Sequence, residues 1–267
     1  MQALNIALVQ GDTRWHDAAA NRAYYGGLLE RLQGQGSDLV ILPETFLSGF
    51  TNDTLHQAEG MDGAGVRWLR EAAARLGAVV TGSLVIREDG RNFNRLLWMR
   101  PDGNCTHYDK RHLFRMAGEH ERYAAGAARP IVELQGWRVL PQVCYDLRFP
   151  VWLRNRRDAD AEGGMDYDLL VVVANWPQPR RHAWRTLLRA RAIENLACVA
   201  AVNRVGRDGN ALDYAGDSVV LDALGQPLCE LGASEQVVSV RLDPQPLLAH
   251  RQRFPAWMDA DAFSVSP

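Results

Sequence analysis

The chain has 267 residues, 47% of them hydrophobic, with 32 acidic and 30 basic side chains for a formal net charge of −2. That is enough apolar material for a substantial core without disulfide staples, and the near-neutral balance provides no basic field for nonspecific binding to nucleic acid or an anionic membrane. The expected partners are small molecules.

The opening MQALNIALVQGD has no basic leader, and Asn5 and Gln10 interrupt its apolar stretch, so it reads as a first strand rather than a signal peptide. Apolar runs such as LACVAAV at 196 to 202 are too short to span a bilayer, and a soluble cytoplasmic protein is expected. NIALV (5 to 9), a helical pattern from His16 to Leu32, DLVIL (38 to 42) and VRWLREAAARL (66 to 76) form an α/β opening. From Ala78 to Met99 two extended stretches flank REDGRN, whose Asp-Gly signals a hairpin, and RPDGNC at 100 to 105 repeats that turn chemistry. This part of the sheet is predicted to be antiparallel.

After a less regular segment from Lys110 to Arg129 come IVELQGWRVLPQVC, a predicted helix from Phe149, DLLVVV (168 to 173), a helix through RTLLRARAIENLA and the strand CVAAVNRV. SVVLDALGQPLCELG and QVVSVRLD read as hairpin strands around Gly225, and RRDADAEGGMD (156 to 166) as a solvated connection. No Pro- or Gly-rich linker divides the chain, so one domain over 1–267 is expected. Asp38 to Leu42 and Asp168 to Val173 share a pattern, an aspartate, an apolar run, then PET or ANW. It fits two halves that bring their strand ends to one crevice, where α/β sheets favour ligand sites, although two such strands also arise by chance.

The four cysteines, at 105, 144, 198 and 229, have no C-x-x-C spacing, which argues against a zinc knuckle or a dithiol pair. Cys198 and Cys229 lie inside strand patterns, and Cys105 follows a turn. Cys144 ends VLPQVC before a polar turn and the predicted helix, whose amino terminus would favour a thiolate; the competing reading is a small buried hydrophobe. A thiol that attacks a carbonyl needs a base and a positive group for the oxyanion. Glu44 follows DLVILP, with Pro43 ending the strand so that the carboxylate can face a crevice; a surface or capping acid is the alternative. Lys110 in HYDKRHLF suits a partly buried ammonium, against a surface lysine beside Arg111.

Taken together, LPETFLSGF, YDKRHLF and VCYDLRFP, followed by NWP at 175 to 177, resemble the glutamate, lysine and cysteine segments of the nitrilase, or carbon-nitrogen hydrolase, superfamily, in the family's order and over nearly the whole chain. RHLFRMAGEHERYAAG, CYDLRFPVWLRN, RARAIEN and NRVGRDGN are similar to its bacterial omega-amidase branch. The resemblance implies a four-layer αββα sandwich with the site at one end of two packed sheets, commonly paired as a homodimer. It implies Glu44 as general base, Cys144 as nucleophile and Lys110 as oxyanion donor. Glu119 in GEHERY matches the family's second glutamate, with Glu121 as its competitor.

That chemistry runs through a thioester and needs neither a metal nor an organic cofactor. The backbone N–H of Tyr145 is a candidate second oxyanion donor. Asp146 and Arg148 are placed to order the turn after the nucleophile, and Arg148, Arg180, Arg181 and Arg204 are candidates to bind a substrate carboxylate. Trp176 either walls the pocket or packs in the core. The seven histidines are scattered; His112 and His120 flank the lysine and glutamate, with no Cys-His protease motif alongside. The aromatic and charged end, from about residue 244, covers a neighbouring subunit or straps its own.

The branch resemblance implies hydrolysis of the terminal amide of small 2-oxo dicarboxylic acid monoamides, such as 2-oxoglutaramate or 2-oxosuccinamate. Deaminated glutathione or another carboxylate-bearing amide or carbamoyl compound is the alternative. Two further classes compete, a metal-dependent phosphoesterase of αββα fold and a noncatalytic scaffold. Against the first, GDSVV at 216 to 220 lacks the histidine such an enzyme would want.

Overall fold

The computed structural model describes residues 1–157 and 164–264, so most of the connection read at 156 to 166 lies outside the described residues. The first half runs β1 (Leu4–Gln10), α1 (Ala18–Glu30), β2 (Leu39–Ile41), α2 (Thr54–Gln57), α3 (Ala64–Leu76), β3 (Val79–Glu88), β4 (Arg91–Met99) and β5 (Cys105–Asp109). The second runs β6 (Val132–Leu134), β7 (Trp137–Val143), α4 (Pro150–Leu153), β8 (Leu169–Ala174), α5 (Arg181–Asn195), β9 (Cys198–Asn203), β10 (Val205–Arg207), β11 (Asp213–Ala215), β12 (Val219–Leu221), β13 (Pro227–Glu230), β14 (Gln236–Leu242) and α6 (Pro244–Arg253).

Two six-stranded sheets result, ordered β14-β1-β2-β3-β4-β5 and β13-β12-β9-β8-β7-β6. Each has three parallel strands at its centre, β1-β2-β3 and β7-β8-β9, extended by two antiparallel strands on one side and one on the other. The halves therefore share a topology in which β2 and β8 are equivalent middle strands. The recurring aspartates pin them alike: Asp38 accepts from the Asn5 N–H of β1 at 2.7 Å, and Asp168 from the Arg138 N–H of β7 at 3.0 Å.

Both faces of these strands are apolar because both are covered. In β1, Leu4, Ile6 and Leu8 join Leu39, Ile41, Val139 and Val171 between the sheets, whereas Ala7 and Val9 pack with Leu28 and Leu29 of α1 and Val66 and Leu69 of α3. On the far side Trp184, Leu188 and Ala192 of α5 cover the second sheet. The layers are helix, sheet, sheet, helix, the αββα sandwich that the family resemblance implied.

The β3–β4 hairpin turns on Asp89 and Gly90, both at positive φ (48° and 72°), as a two-residue turn matching the strand twist requires. Gln135 and Gly136 (50° and 83°) do the same between β6 and β7, dividing the IVELQGWRVLPQVC segment into two paired strands. Two expectations need correction. QVVSVRLD does not pair with the strands around Gly225; as β14 it crosses to the first sheet and lies antiparallel to β1, because hydrophobic alternation marks a strand but not its partner. The helix expected from Phe149 is only the single turn α4, preceded by a 3₁₀ turn over Cys144–Arg148.

From about residue 244, α6 lies on its own subunit. Arg251 is buried, pairing with Asp168 at 2.6 Å and donating to the Leu196 and Tyr167 carbonyls. Among the described residues no helix is long and apolar enough to cross a membrane.

Candidate active site

Glu44 lies three residues beyond β2, after Pro43, and its side chain is fully buried. Oε1 accepts from Lys110 Nζ at 2.9 Å and Asn94 Nδ2 at 2.7 Å, and Oε2 from the backbone N–H of Asn175 at 2.7 Å. Asn175, just past β8, also donates its side-chain amide to the Glu44 carbonyl at 2.7 Å and to Thr45 Oγ1 at 2.8 Å. The ends of the two equivalent strands are thereby tied together over the site.

Lys110 follows β5 and is 1% exposed, so its expected partial burial is in fact complete. Its Nζ lies 3.0 Å from both oxygens of Glu119 as well as 2.9 Å from Glu44. Burial alone would push the ammonium down, but the negative charges of Glu119 and Glu44 outweigh it and hold its pKa well above the usual lysine value. Glu119 is fully buried; burial first, and then the charge of Glu44, raises its carboxyl against the opposing pull of Lys110. Asn94 reaches it at 3.3 Å, and the Phe114 N–H donates to its second oxygen at 2.5 Å. Glu121 is 68% exposed and points away from this cluster, toward His120.

Strand β7 ends by delivering Cys144 into left-handed backbone, φ 46°, a conformation that costs a non-glycine residue about 1–3 kcal/mol and is held only where its surroundings insist. The residue is 8% exposed, and its sulfur lies 3.8 Å from the Asn175 carbonyl. The expectation of a helix terminus favouring thiolate fails, since no long helix begins here. Burial first, then the negative charge of Glu44 and a hydrogen bond to it, push the thiol well above the ordinary cysteine value, and Lys110 opposes them only in part. The environment therefore favours the neutral thiol of Cys144 beside the Glu44 side chain.

Cys144, Lys110 and Asn175 line a cavity of about 570 Å³. Glu44 and Glu119 stand behind that lining. Phe50, Phe114, Tyr145 and Trp176 wall it, and Tyr214 and Leu212 approach from the β10–β11 hairpin. Two guanidiniums face the same space: Arg148 lies over the Trp176 ring at 4.8 Å and Arg180 over Phe114 at 5.2 Å. Among the described residues neither has a carboxylate partner. Arg181 is committed to Asp217 and the buried Arg204 to Asp12, which removes both from the four carboxylate-binding candidates. Among the described residues no group of three or more His, Cys, Asp or Glu side chains is placed to hold a metal ion.

The carbon-nitrogen hydrolase family model matches residues 5–252. The chain belongs to the carbon-nitrogen hydrolase family. It is 47% identical to an omega-amidase of Yersinia enterocolitica over 98% of this chain and 99% of the relative. It is 32% identical to a 2-oxoglutaramate amidase of Bacillus subtilis over 85% and 86%. A crystal structure of a CN-hydrolase superfamily protein from Xanthomonas campestris, carrying an arsenic adduct in its active site, superposes with a TM-score of 0.97 at 61% identity over the full length of both chains. These similarities place the chain in the omega-amidase branch, as a hydrolase of amide carbon-nitrogen bonds.

Within this family frame the structure brings Glu44, Lys110, Glu119 and Cys144 together and sets Tyr145, Arg148 and Trp176 around the adjoining cavity. Trp176 satisfies both readings offered for it, lining the cavity while packing against Trp184 with ring centroids 5.5 Å apart and the planes tilted by 44°. Sequence reasoning missed Asn94 and did not give Asn175 a role. Asn94 sits inside β4 between Phe93 and Arg95, in the polar first half of RNFNRLLWM where nothing local sets it apart, and Asn175 follows β8 as Glu44 follows β2.

Proposed function

We propose that the protein hydrolyses the terminal amide of small 2-oxo dicarboxylic acid monoamides, such as 2-oxoglutaramate or 2-oxosuccinamate, to the diacid and ammonia. The observation that carries this reading is a buried thiol beside a Glu–Lys–Glu cluster on a cavity that also holds two guanidiniums with no carboxylate partner among the described residues. Arg148 and Arg180 are suited to the substrate's far carboxylate, which a guanidinium binds through paired hydrogen bonds. Similarity to proteins named omega-amidase and 2-oxoglutaramate amidase supports the same choice.

In this mechanism Cys144 Sγ passes its proton to Glu44 and attacks the amide carbon. Lys110, together with the Tyr145 N–H, stabilises the oxyanion. Glu44 returns the proton to the leaving nitrogen, ammonia departs and a thioester remains. A water then loses its proton to Glu44, adds to the thioester carbon and expels the thiolate, which recovers the proton. Glu119 anchors the ammonium and never exchanges protons with substrate. A metal-dependent reading is disfavoured on geometry, because the Lys110 ammonium occupies the space between the two carboxylates where a divalent cation would have to lie.

The test is ammonia release from 2-oxoglutaramate and from an unrelated aliphatic amide by wild type and Cys144→Ala. Release from the oxo-acid amide that vanishes in the variant supports both nucleophile and substrate class. Undiminished release by the variant would reject the mechanism.

A further inference from the structure

Asp146 lies two residues beyond the nucleophile, is fully buried and yet touches neither the cavity nor the Glu44–Lys110–Glu119 cluster. Its carboxylate accepts four hydrogen bonds. Oδ2 takes the Tyr108 hydroxyl at 2.8 Å and the Val143 N–H at 3.3 Å, while Oδ1 takes the N–H and Nδ1 of His112 at 2.9 and 2.8 Å. A carboxylate only accepts, so His112 carries a hydrogen on Nδ1. Three of the four donors belong to Tyr108 and His112, the residues two before and two after Lys110. The fourth comes from the residue immediately before Cys144.

We infer that Asp146 is a positioning residue for the hydrolytic reaction, fixing the cysteine turn to the lysine strand so that Sγ and Nζ meet the same carbonyl. The connection is direct: the backbone that aims Lys110 and the backbone that aims Cys144 both end on one carboxylate. It is braced on each side. The Tyr108 hydroxyl accepts from the Arg111 N–H at 3.1 Å and from Trp152 Nε1 at 3.2 Å, and the His112 ring stacks on Phe149 at 3.7 Å, holding the far end of the same turn. The left-handed backbone at Cys144 supplies the need for such a clamp, since a residue in that region relaxes toward ordinary φ when its surroundings loosen. A carboxylate suits the place because four convergent donors require an acceptor with four lone-pair sites. An asparagine there would turn one amide hydrogen toward the Val143 N–H.

This inference rests on the proposed hydrolysis, and the experiment separates the two. Wild type, Asp146→Asn, His112→Ala and the double variant are compared for kcat and KM on 2-oxoglutaramate and, without any substrate, for the rate at which iodoacetamide alkylates Cys144. Loss of clamping is expected to lower kcat in Asp146→Asn by roughly a hundredfold, the size of penalty that ~1 Å of misplacement carries, with KM changed less than threefold. Alkylation should slow about tenfold because Sγ leaves the reach of Glu44. The double variant should be no worse than Asp146→Asn alone, since each substitution cuts the same link between the cysteine turn and the lysine strand. A merely structural role predicts a lower melting temperature with kcat within twofold of wild type, and that result overturns the inference, as do additive losses in the double variant. If Asp146→Asn does not fold, Tyr108→Phe and His112→Ala decide: both should lower kcat severalfold, and unchanged kcat in both overturns it. A wild type inactive on 2-oxoglutaramate but alkylated faster than the variants would fail the substrate reading alone.

Discussion

Asn175 and Glu44 hold one another across the two sheets: the asparagine N–H donates to the glutamate carboxylate and its side-chain amide to the glutamate carbonyl, each at 2.7 Å. They occupy equivalent places, just past the middle parallel strand of each sheet. The carboxylate's position is thus set by the relation between the sheets rather than by its own strand alone. Replacing Asn175 with alanine keeps the backbone bond but removes those to the Glu44 carbonyl and Thr45. The expected result is a stability loss of about 1–3 kcal/mol, from buried acceptors left without partners. A fall in kcat of roughly tenfold should accompany it, from a displaced base. Urea unfolding and steady-state kinetics check the two, and a fully active Asn175→Ala would show that Glu44 needs no such support.

Among the described residues Lys110 is the one cation between the buried Glu44 and Glu119 carboxylates, so removing it leaves both without a counter-charge. Lys110→Met should abolish activity and cost about 3–5 kcal/mol, the range for breaking a buried ion pair from one side. Adding Glu119→Gln should recover part of the stability, since one buried charge is then gone, but none of the activity. Urea denaturation of the single and double variants measures this. Equal stability of the two would mean that Glu119 is already protonated once the lysine is absent.

Much of this was legible because local chemistry carried it. Asp89-Gly90 announced its hairpin, the apolar runs of β1, β2 and β8 announced buried parallel strands, and the repeated aspartate before β2 and β8 hinted at the shared topology of the halves. Glu44, Lys110 and Cys144 were legible through their order and flanks. What stayed hidden depends on distant residues. The partner of β14 is β1, with Leu4 opposite Leu242, and no local pattern specifies it. Asn94 is defined by two carboxylates that approach it from elsewhere in the chain, and the choice of Arg148 and Arg180 over Arg181 and Arg204 follows from Asp217 and Asp12 having captured the others. The helix expected from Phe149 stops after one turn because Arg154 leaves helical backbone and the Asn155 N–H is taken by the Asn195 side chain of α5 at 2.9 Å, a partner far off in sequence.

Alkaline pH should destabilise the fold through groups whose protons the native state retains. Cys198 in β9 is pushed up to about 12 from 9.0 by burial, and Cys144 and Lys110 shift in the same direction. A raised folded-state pKa means that the unfolded chain loses its proton first. For Cys198 the stability contribution is therefore complete below pH 9 and is lost as pH rises from 9 toward 12, by at most about 1.4 kcal/mol per pH unit, while the loss from Lys110 begins only above its ordinary value of 10.5. Unfolding free energies from urea titrations should be level near neutrality and fall above pH 9. Cys198→Ala, remote from the cavity, should blunt that slope, and an identical slope in the variant would remove Cys198 from the account.

Arg148 and Arg180 are held over aromatic rings with their hydrogen-bonding edges uncommitted to any described carboxylate. If they receive the carboxylate remote from the scissile amide, their loss should weaken binding of acidic substrates and spare neutral ones. Charge-assisted bonds are worth about 1.5–3 kcal/mol, so Arg148→Ala or Arg180→Ala should raise KM for 2-oxoglutaramate by roughly 10- to 150-fold. Activity toward a neutral aliphatic amide, slow in wild type, should change by less than about threefold, because Cys144, Lys110 and Glu44 are untouched. Arg181→Ala, whose side chain is paired with Asp217, serves as the control and should leave KM for 2-oxoglutaramate near the wild-type value. Equal losses on acidic and neutral amides would mean that the two arginines support the cavity wall rather than read the substrate's charge.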